Sequence, residues 1–247
     1  DEAGDAGALA LATAGVPISM RPKGDRIMHD KFVVVDHQVV WTGSTNLTPT
    51  GLLRNDNDAV LLESPALAAA YTAELDQMAV EGDFGRRKVD LGGARDFGVG
   101  DADLRVHFSP QHDPIDAMVD LVDGAEHSVS FLVFSFTHPD LRDALLRAHD
   151  RGVEVVGVFD ASQAASSWSV DEALADAGVS VYIDGNHENV GFSGGKLHHK
   201  LMLVDAGAPD ADPVLATGSF NWSRAGTNDN DENLLEIRDA GLQAQAR

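Results

Sequence analysis

Residues 14–63 of this chain return as residues 177–236, and any fold for the chain has to accommodate that repeat. Ala14-Gly15-Val16 matches Ala177-Gly178-Val179. Met28-His29-Asp30-Lys31, followed by four apolar residues and Asp36, matches Leu197-His198-His199-Lys200, followed by four apolar residues and Asp205. Gly43-Ser44-Thr45-Asn46 matches Gly218-Ser219-Phe220-Asn221. Each copy closes on an apolar, strand-like run, 59–62 and 233–237.

The second copy has a longer lead-in. Residues 104–108, 128–136 and 153–159 read as strands. Residues 114–126, Pro139–Asp150 and 170–177 read as helices, the first two opened by proline and the last two closed by glycine. Strands alternating with helices predict an α/β chain, a mixed sheet carrying helices on its faces. The first copy lacks this lead-in, so about 60 residues of the first half are expected to be missing at the amino terminus. It continues instead into a helix over 65–81. The expected division is 1–83 for the later part of a first half, 84–103 for a linker and 104–247 for the second half. The Gly-rich linker, with Arg86-Arg87-Lys88, is expected to be a solvated connection.

Composition narrows the chemistry. There is no cysteine, which removes disulfides, thiolate catalysis and Cys-ligated zinc. The compartment stays open, a secreted or periplasmic one included, and residues 1–7 do not form a signal peptide. No apolar run is long enough for a transmembrane helix. The net charge of −22 argues against broad electrostatic capture of nucleic acid or anionic membrane. A polyanionic substrate must then be held by local cations. Of the five lysines, Lys23, Lys31 and Lys200 lie in or near the repeated motif, and Lys88 and Lys196 lie outside it.

His and Lys two residues apart on a strand point to the same face. The imidazole can attack or protonate while the ammonium neutralises a phosphate. Glycine in the following Gly-Ser-x-Asn turn allows close backbone approach, and Ser and Asn offer hydrogen bonds. Two facing copies would surround one phosphodiester with His29, Lys31, Ser44, Asn46, His198, Lys200, Ser219 and Asn221. Both copies lie in one chain, so the site does not call for a dimer.

These paired His-x-Lys-x4-Asp motifs, each followed by Gly-Ser-x-Asn, resemble those of the phospholipase D superfamily over most of the chain. Phe108-Ser109-Pro110, Ser135-Phe136-Thr137, Asp160 and Gln163 look most similar to its branch of bacterial endonucleases and mitochondrial cardiolipin hydrolases. The resemblance implies a pseudo-twofold fold of two βα-sandwich halves, the first shortened. It also implies phosphodiester hydrolysis without a metal or other cofactor, on a phospholipid head group or nucleic acid, through a phosphohistidine. His29 is then the nucleophile and His198 the acid. Alternatives are phosphatidyl transfer of the cardiolipin-synthase type, or a catalytically silent phosphate-binding module.

The halves differ tellingly at one place. Fourteen residues after the motif glycine, Glu232 stands opposite Asn57. In the superfamily a carboxylate near this position orients a catalytic His, so Glu232 joins the catalytic set and the two imidazoles are expected to differ in proton affinity. Which His it touches is not readable from sequence, and Asp56 or Asp58 could substitute in the first half. Asp36 and Asp205 are read as turn-forming, His199 as structural or solvent-facing, and Trp222 as core. Arg21, Lys23 and Arg26 are read as an exposed cluster. His37, His107, His112, His127, His138, His149 and His187 have no motif context. No exposed apolar run suited to a lipid interface is visible in the sequence.

Overall fold

A computed structural model describes residues 6–24, 26–93, 95–185, 195–208 and 211–239. Two of the readings above, on His187 and on residues 1–5, fall outside them. After a short helix α1 (Ala6–Thr13), the first copy forms an antiparallel sheet of β1 (Phe32–Val35), β2 (Val39–Gly43) and β3 (Ala59–Glu63). Between β2 and β3 lies the one-turn helix α2 (Pro49–Leu53), and helix α3 (Pro65–Ala79) follows β3. Both helices open with a hydroxyl cap and proline: Thr48 Oγ1 accepts from Gly51 N, and Ser64 Oγ from Leu67 N.

The second copy builds an eight-stranded sheet from β4 (Asp96–Val99), β5 (Ala102–Ser109), β6 (Ser128–Val133), β7 (Glu154–Phe159), β8 (Ser180–Ile183), β9 (Lys200–Val204), β10 (Val214–Gly218) and β11 (Glu232–Arg238). The order is β4-β5-β11-β10-β9-β6-β7-β8. The β6-β7-β8 pairs are parallel and the others antiparallel, so the sheet is mixed as the element pattern predicts. Helices α4 (Pro114–Asp123), α5 (Pro139–Asp150), α6 (Ala161–Ala164), α7 (Asp171–Asp176) and α8 (Arg224–Asn228) complete it. Within the repeat, β1-β2-β3 matches β9-β10-β11, and α2 matches α8.

All five residues of β9 are buried, because both faces of the sheet are covered. Met202 and Val204 join a core with Met118, Leu145 and Trp222. Leu201 and Leu203 face the other way, into a core with Tyr71, Leu67, Val40 and Leu62 from the first copy. The first copy is thus packed onto the second through α3 and one face of its own sheet. On the opposite face of that sheet Val33 and Leu61 are exposed.

The stretch 84–103 departs from the solvated linker expected of it. Phe84 and Gly85 are buried, β4 pairs with β5, and the Lys88 side chain is fully enclosed. Lys88 Nζ forms ion pairs with Glu74 and, at 3.0 Å, with Asp231, and donates to Ser109 O at 2.8 Å. An ammonium can be buried when carboxylates accompany it, and these partners come from both halves.

Asp36 and Asp205 both adopt left-handed backbone, each with φ 52, where the chain leaves β1 and β9. The Asp205 carboxylate also accepts from the N–H groups of Glu126, His127 and Ser128, tying the end of β9 to the start of β6. Burial would raise its proton affinity, but these N–H groups hold it below the ordinary carboxylate range.

Candidate active site

Each His-x-Lys stretch is zipped to the other half. His29 N donates to Asp231 O at 2.9 Å, and Asp231 N donates to Ile27 O at 3.1 Å. The mate of this bridge runs from His198 N to Asp56 O at 2.8 Å and from Asp56 N to Lys196 O at 2.9 Å. The residue after each bridged Asp therefore meets the histidine of the opposite half. Glu232 Oε2 accepts from His29 Nδ1 at 2.6 Å, with the carboxylate fully buried and the imidazole 16% exposed. Asn57 Oδ1 lies 3.0 Å from His198 Nδ1, and Ser44 O lies 3.1 Å from it.

These contacts fix both imidazoles. Asn57 Nδ2 donates to Gly51 O at 2.8 Å, so its carbonyl oxygen faces His198. His198 Nδ1 faces acceptors alone and must carry the hydrogen. His29 Nδ1 faces a carboxylate and carries one as well. In the neutral forms both Nε2 atoms keep their lone pairs. Asn230 Nδ2 steadies the free oxygen of Glu232 at 3.2 Å.

Both lysines are buried and bend back on their own motif, Lys31 Nζ to His29 O at 2.6 Å and Lys200 Nζ to His198 O at 2.8 Å. Their fields overlap with those of both histidines. Burial pushes His198 down to about 2, helped by Lys200, Lys31 and His29. Burial also lowers His29, against the pull of Glu232. Lys31 is lowered to about 8 by burial, and Lys200 falls further under burial and Lys31. Two ammoniums and two imidazoles in one desolvated spot disfavour positive charge, a condition that an arriving anion relieves.

Asn46 and Asn221 stand where β2 and β10 turn into α2 and α8. Their side-chain amides form no hydrogen bond among the described residues, which leaves them available to phosphate oxygens. The turns depend on glycine: a Cβ on Gly51 or Gly226 would lie 2.2 or 2.3 Å from Asn46 O or Asn221 O.

Ser44 and Ser219, expected at the phosphate, bond protein groups in this structure. Both serines are fully buried. Ser44 Oγ binds Asn57 Oδ1 at 3.1 Å and Asp58 Oδ1 at 2.9 Å, and Ser219 Oγ accepts from Asn233 N at 2.9 Å. Their work is to hold the residues behind the histidines. Asp58 does not substitute for a carboxylate on His198. It binds His199 Nδ1 at 2.8 Å, Ser44 Oγ and the Thr217 hydroxyl. Burial would raise its proton affinity, but these partners lower it overall. The mate of that cluster is Asn233, which donates to Asp30 Oδ1 at 2.9 Å and accepts from Thr42 Oγ1 at 3.1 Å. Sequence reasoning missed this support. The signal was the aligned quartet Asp30/His199, Thr42/Thr217, Ser44/Ser219 and Asp58/Asn233.

Two further features went unread. Phe134, at the end of β6, packs its ring 4.8 Å from that of His198. Leu47, Leu52 and Leu53 are exposed on the turn and helix after Asn46, Leu53 by 82%, an apolar surface not visible in the sequence.

A family model described as "Cardiolipin synthase, PLD-like domain" matches residues 2–79 and 118–247. A mitochondrial cardiolipin hydrolase of Xenopus tropicalis is 38% identical over 111 residues, 45% of this chain and 47% of that protein. One of Chlamydomonas reinhardtii is 29% identical over 142 residues, 57% of this chain and 58% of that protein. The chain thus spans about half the length of these relatives. The crystal structure of Nuc from Salmonella typhimurium, titled a phospholipase D family member, superposes with a TM-score of 0.51 at 27% identity. That match covers 59% of this chain and 90% of Nuc.

Proposed function

Because the chain belongs to the phospholipase D superfamily, in the branch of the bacterial endonucleases and mitochondrial cardiolipin hydrolases, we propose that it is a metal-independent phosphodiesterase that works through a phosphohistidine on His29. The observation that carries this reading is the crossed pairing of Glu232 with His29 and Asn57 with His198. Attack by His29 Nε2 on phosphorus forms a P–N bond while Nδ1 keeps its hydrogen, so the ring becomes cationic. A carboxylate at Nδ1 stabilises that cation more than a neutral amide does. As the P–O bond breaks, the leaving oxygen takes the proton from His198 Nε2. Water then attacks phosphorus, returns a proton to His198, and the P–N bond breaks.

His198 must be protonated to act first. Burial and the two lysines hold its proton affinity low, and a phosphate anion raises it by offsetting Lys31 and Lys200. An acid held by a neutral amide also gives its proton up readily. Lys31 and Lys200, with the amides of Asn46 and Asn221, stabilise the charge on the non-bridging oxygens. The substrate is a phospholipid head group or nucleic acid. The leucines around Asn46 favour the lipid, and the net charge of −22 disfavours a long polyanion.

The test is hydrolysis of bis(p-nitrophenyl) phosphate in excess EDTA, with acid-quench trapping of the phosphoenzyme. Turnover should persist in EDTA, fall at least a thousandfold in His198→Ala, and leave label on His29. Loss of turnover in EDTA would sink the metal-free mechanism. Label on His198 would reverse the roles of the two histidines.

A further inference from the structure

Lys196 lies outside the catalytic set, yet it is held at its rim. Its Nζ stands 5.0 Å from the centroid of the Phe134 ring, and Lys200 Nζ stands 4.9 Å from the same centroid. The two ammonium groups are therefore no more than about 10 Å apart, joined by a ring whose π-face attracts both. The Lys196 backbone is pinned on both sides, its N–H to Asn55 Oδ1 at 3.1 Å and its carbonyl to Asp56 N at 2.9 Å. The side chain is exposed and forms no ion pair among the described residues. In a chain with 40 acidic residues against 18 basic ones, Arg26, Arg86, Arg105, Arg147 and Arg238 each pair with an aspartate, whereas Lys196 is held over an aromatic ring beside the site.

The pseudo-twofold sharpens the point. Ile27 holds the matching place in the first copy, its carbonyl accepting from Asp231 N as that of Lys196 accepts from Asp56 N. At this place in the repeat the His198 side carries a cation and the His29 side an exposed isoleucine, whose neighbour Arg26 pairs with Asp229.

We propose that Lys196, backed by Phe134, is a subsite for a second phosphate, carried by the alcohol that His198 protonates. The substrate class is a phosphodiester whose leaving alcohol bears a further phosphate group, as a phosphoglycerol or an adjoining nucleotide does. A linker of sugar or glycerol size keeps two phosphates within the upper limit that the shared ring sets on the separation of Lys200 and Lys196. The inference rests on the acid role given to His198 above.

Two arms separate the sources of that phosphate. In mixed micelles, kcat/KM is compared for phosphatidylglycerol and phosphatidylglycerol phosphate; in solution, for thymidylyl-thymidine with and without a phosphate at either end. In at least one arm the wild type should prefer the substrate with a phosphate on the leaving alcohol by about tenfold, the size of one charge-assisted contact. Lys196→Gln should bring that preference close to one. Arg147→Gln removes the same charge on α5 and should keep it. No preference in the wild type, a preference for phosphate on the retained side, or a preference undiminished in Lys196→Gln would overturn the subsite.

Calorimetry with 1,3-propanediol bisphosphate and propyl phosphate decides the matter without turnover. The bisphosphate should bind about tenfold tighter to the wild type and no tighter to Lys196→Gln. Equal affinities in the wild type would overturn the subsite. A protein that binds the bisphosphate selectively but hydrolyses nothing would overturn the proposed reaction alone.

Discussion

The two histidines stand in matching places and differ in what holds them. Glu232 gives His29 a charged acceptor, and Asn57 gives His198 a neutral one, so a pseudo-symmetric scaffold yields two unlike imidazoles. The His, Lys and Asn pairs were legible in the sequence because each copy repeats them at the same spacing. The partner of Glu232 was not, since a contact across 203 residues depends on how the halves pair and local spacing carries no record of it. The serines show a related limit: a hydroxyl beside the site can face the substrate or the shell behind it, and both hydroxyls here bond residues behind the histidines, which local spacing does not reveal. The lysines supply a prediction at this scale. Burial lowers Lys31 to about 8, so its ammonium is charged below that pH and neutral above it. Loss of the Lys31 proton should therefore weaken anion binding above about pH 8, by up to about tenfold per unit, on top of the loss from Lys200, which burial also lowers. Dimethyl phosphate, whose charge is constant in this range, reads this as a competitive inhibitor. Lys31→Arg should remove the Lys31 share of that fall, because a guanidinium stays charged. A flat profile in the wild type would remove Lys31 from anion binding.

Helix α5 falls where proline, apolar period and glycine place it, and the strands of the repeat follow from their apolar runs. The stretch 84–103 did not read this way. It is polar and glycine-rich, and nothing local reveals that Lys88 enters the core. That depends on Glu74 from α3 and on Asp231 just before β11. Asp231 also receives His29 N on its carbonyl and Gly85 N on its carboxylate, so the stretch braces the segment that carries His29. Removing the cation alone would leave Glu74 and Asp231 buried without it. Lys88→Met should cost about 3–5 kcal/mol in urea unfolding, the range for breaking a buried ion pair from one side. The double change Lys88→Met, Glu74→Gln should recover part of the loss. A single variant within 1 kcal/mol of wild type, on the same scale, would show that the stretch braces nothing.

Over the whole molecule the repeat sets the architecture and the charge sets its dealings with solvent. Two copies exchange backbone contacts at 27–29 with 231 and at 196–198 with 56, so the site exists only where both halves meet. Around that seam lies a chain of net charge −22, which repels an approaching anion. The two effects act over different distances. Repulsion from the surface works over tens of ångströms and is screened as the Debye length shrinks from about 30 Å at 0.01 M salt to about 8 Å at 0.15 M. Contacts with Lys31, Lys200 and the two amides lie within a few ångströms and are desolvated, so salt weakens them less. For a polyanionic substrate, kcat/KM should rise with ionic strength over this range, opposite to the fall expected of a protein that captures phosphates on a basic surface. A neutral-ended phosphodiester with a single charge should show a smaller rise. Stopped-flow association rates across the same salt series would identify encounter as the affected step. A steady fall in kcat/KM would mean that local cations such as Lys196 dominate the approach and that the acidic surface faces away from the path of the substrate.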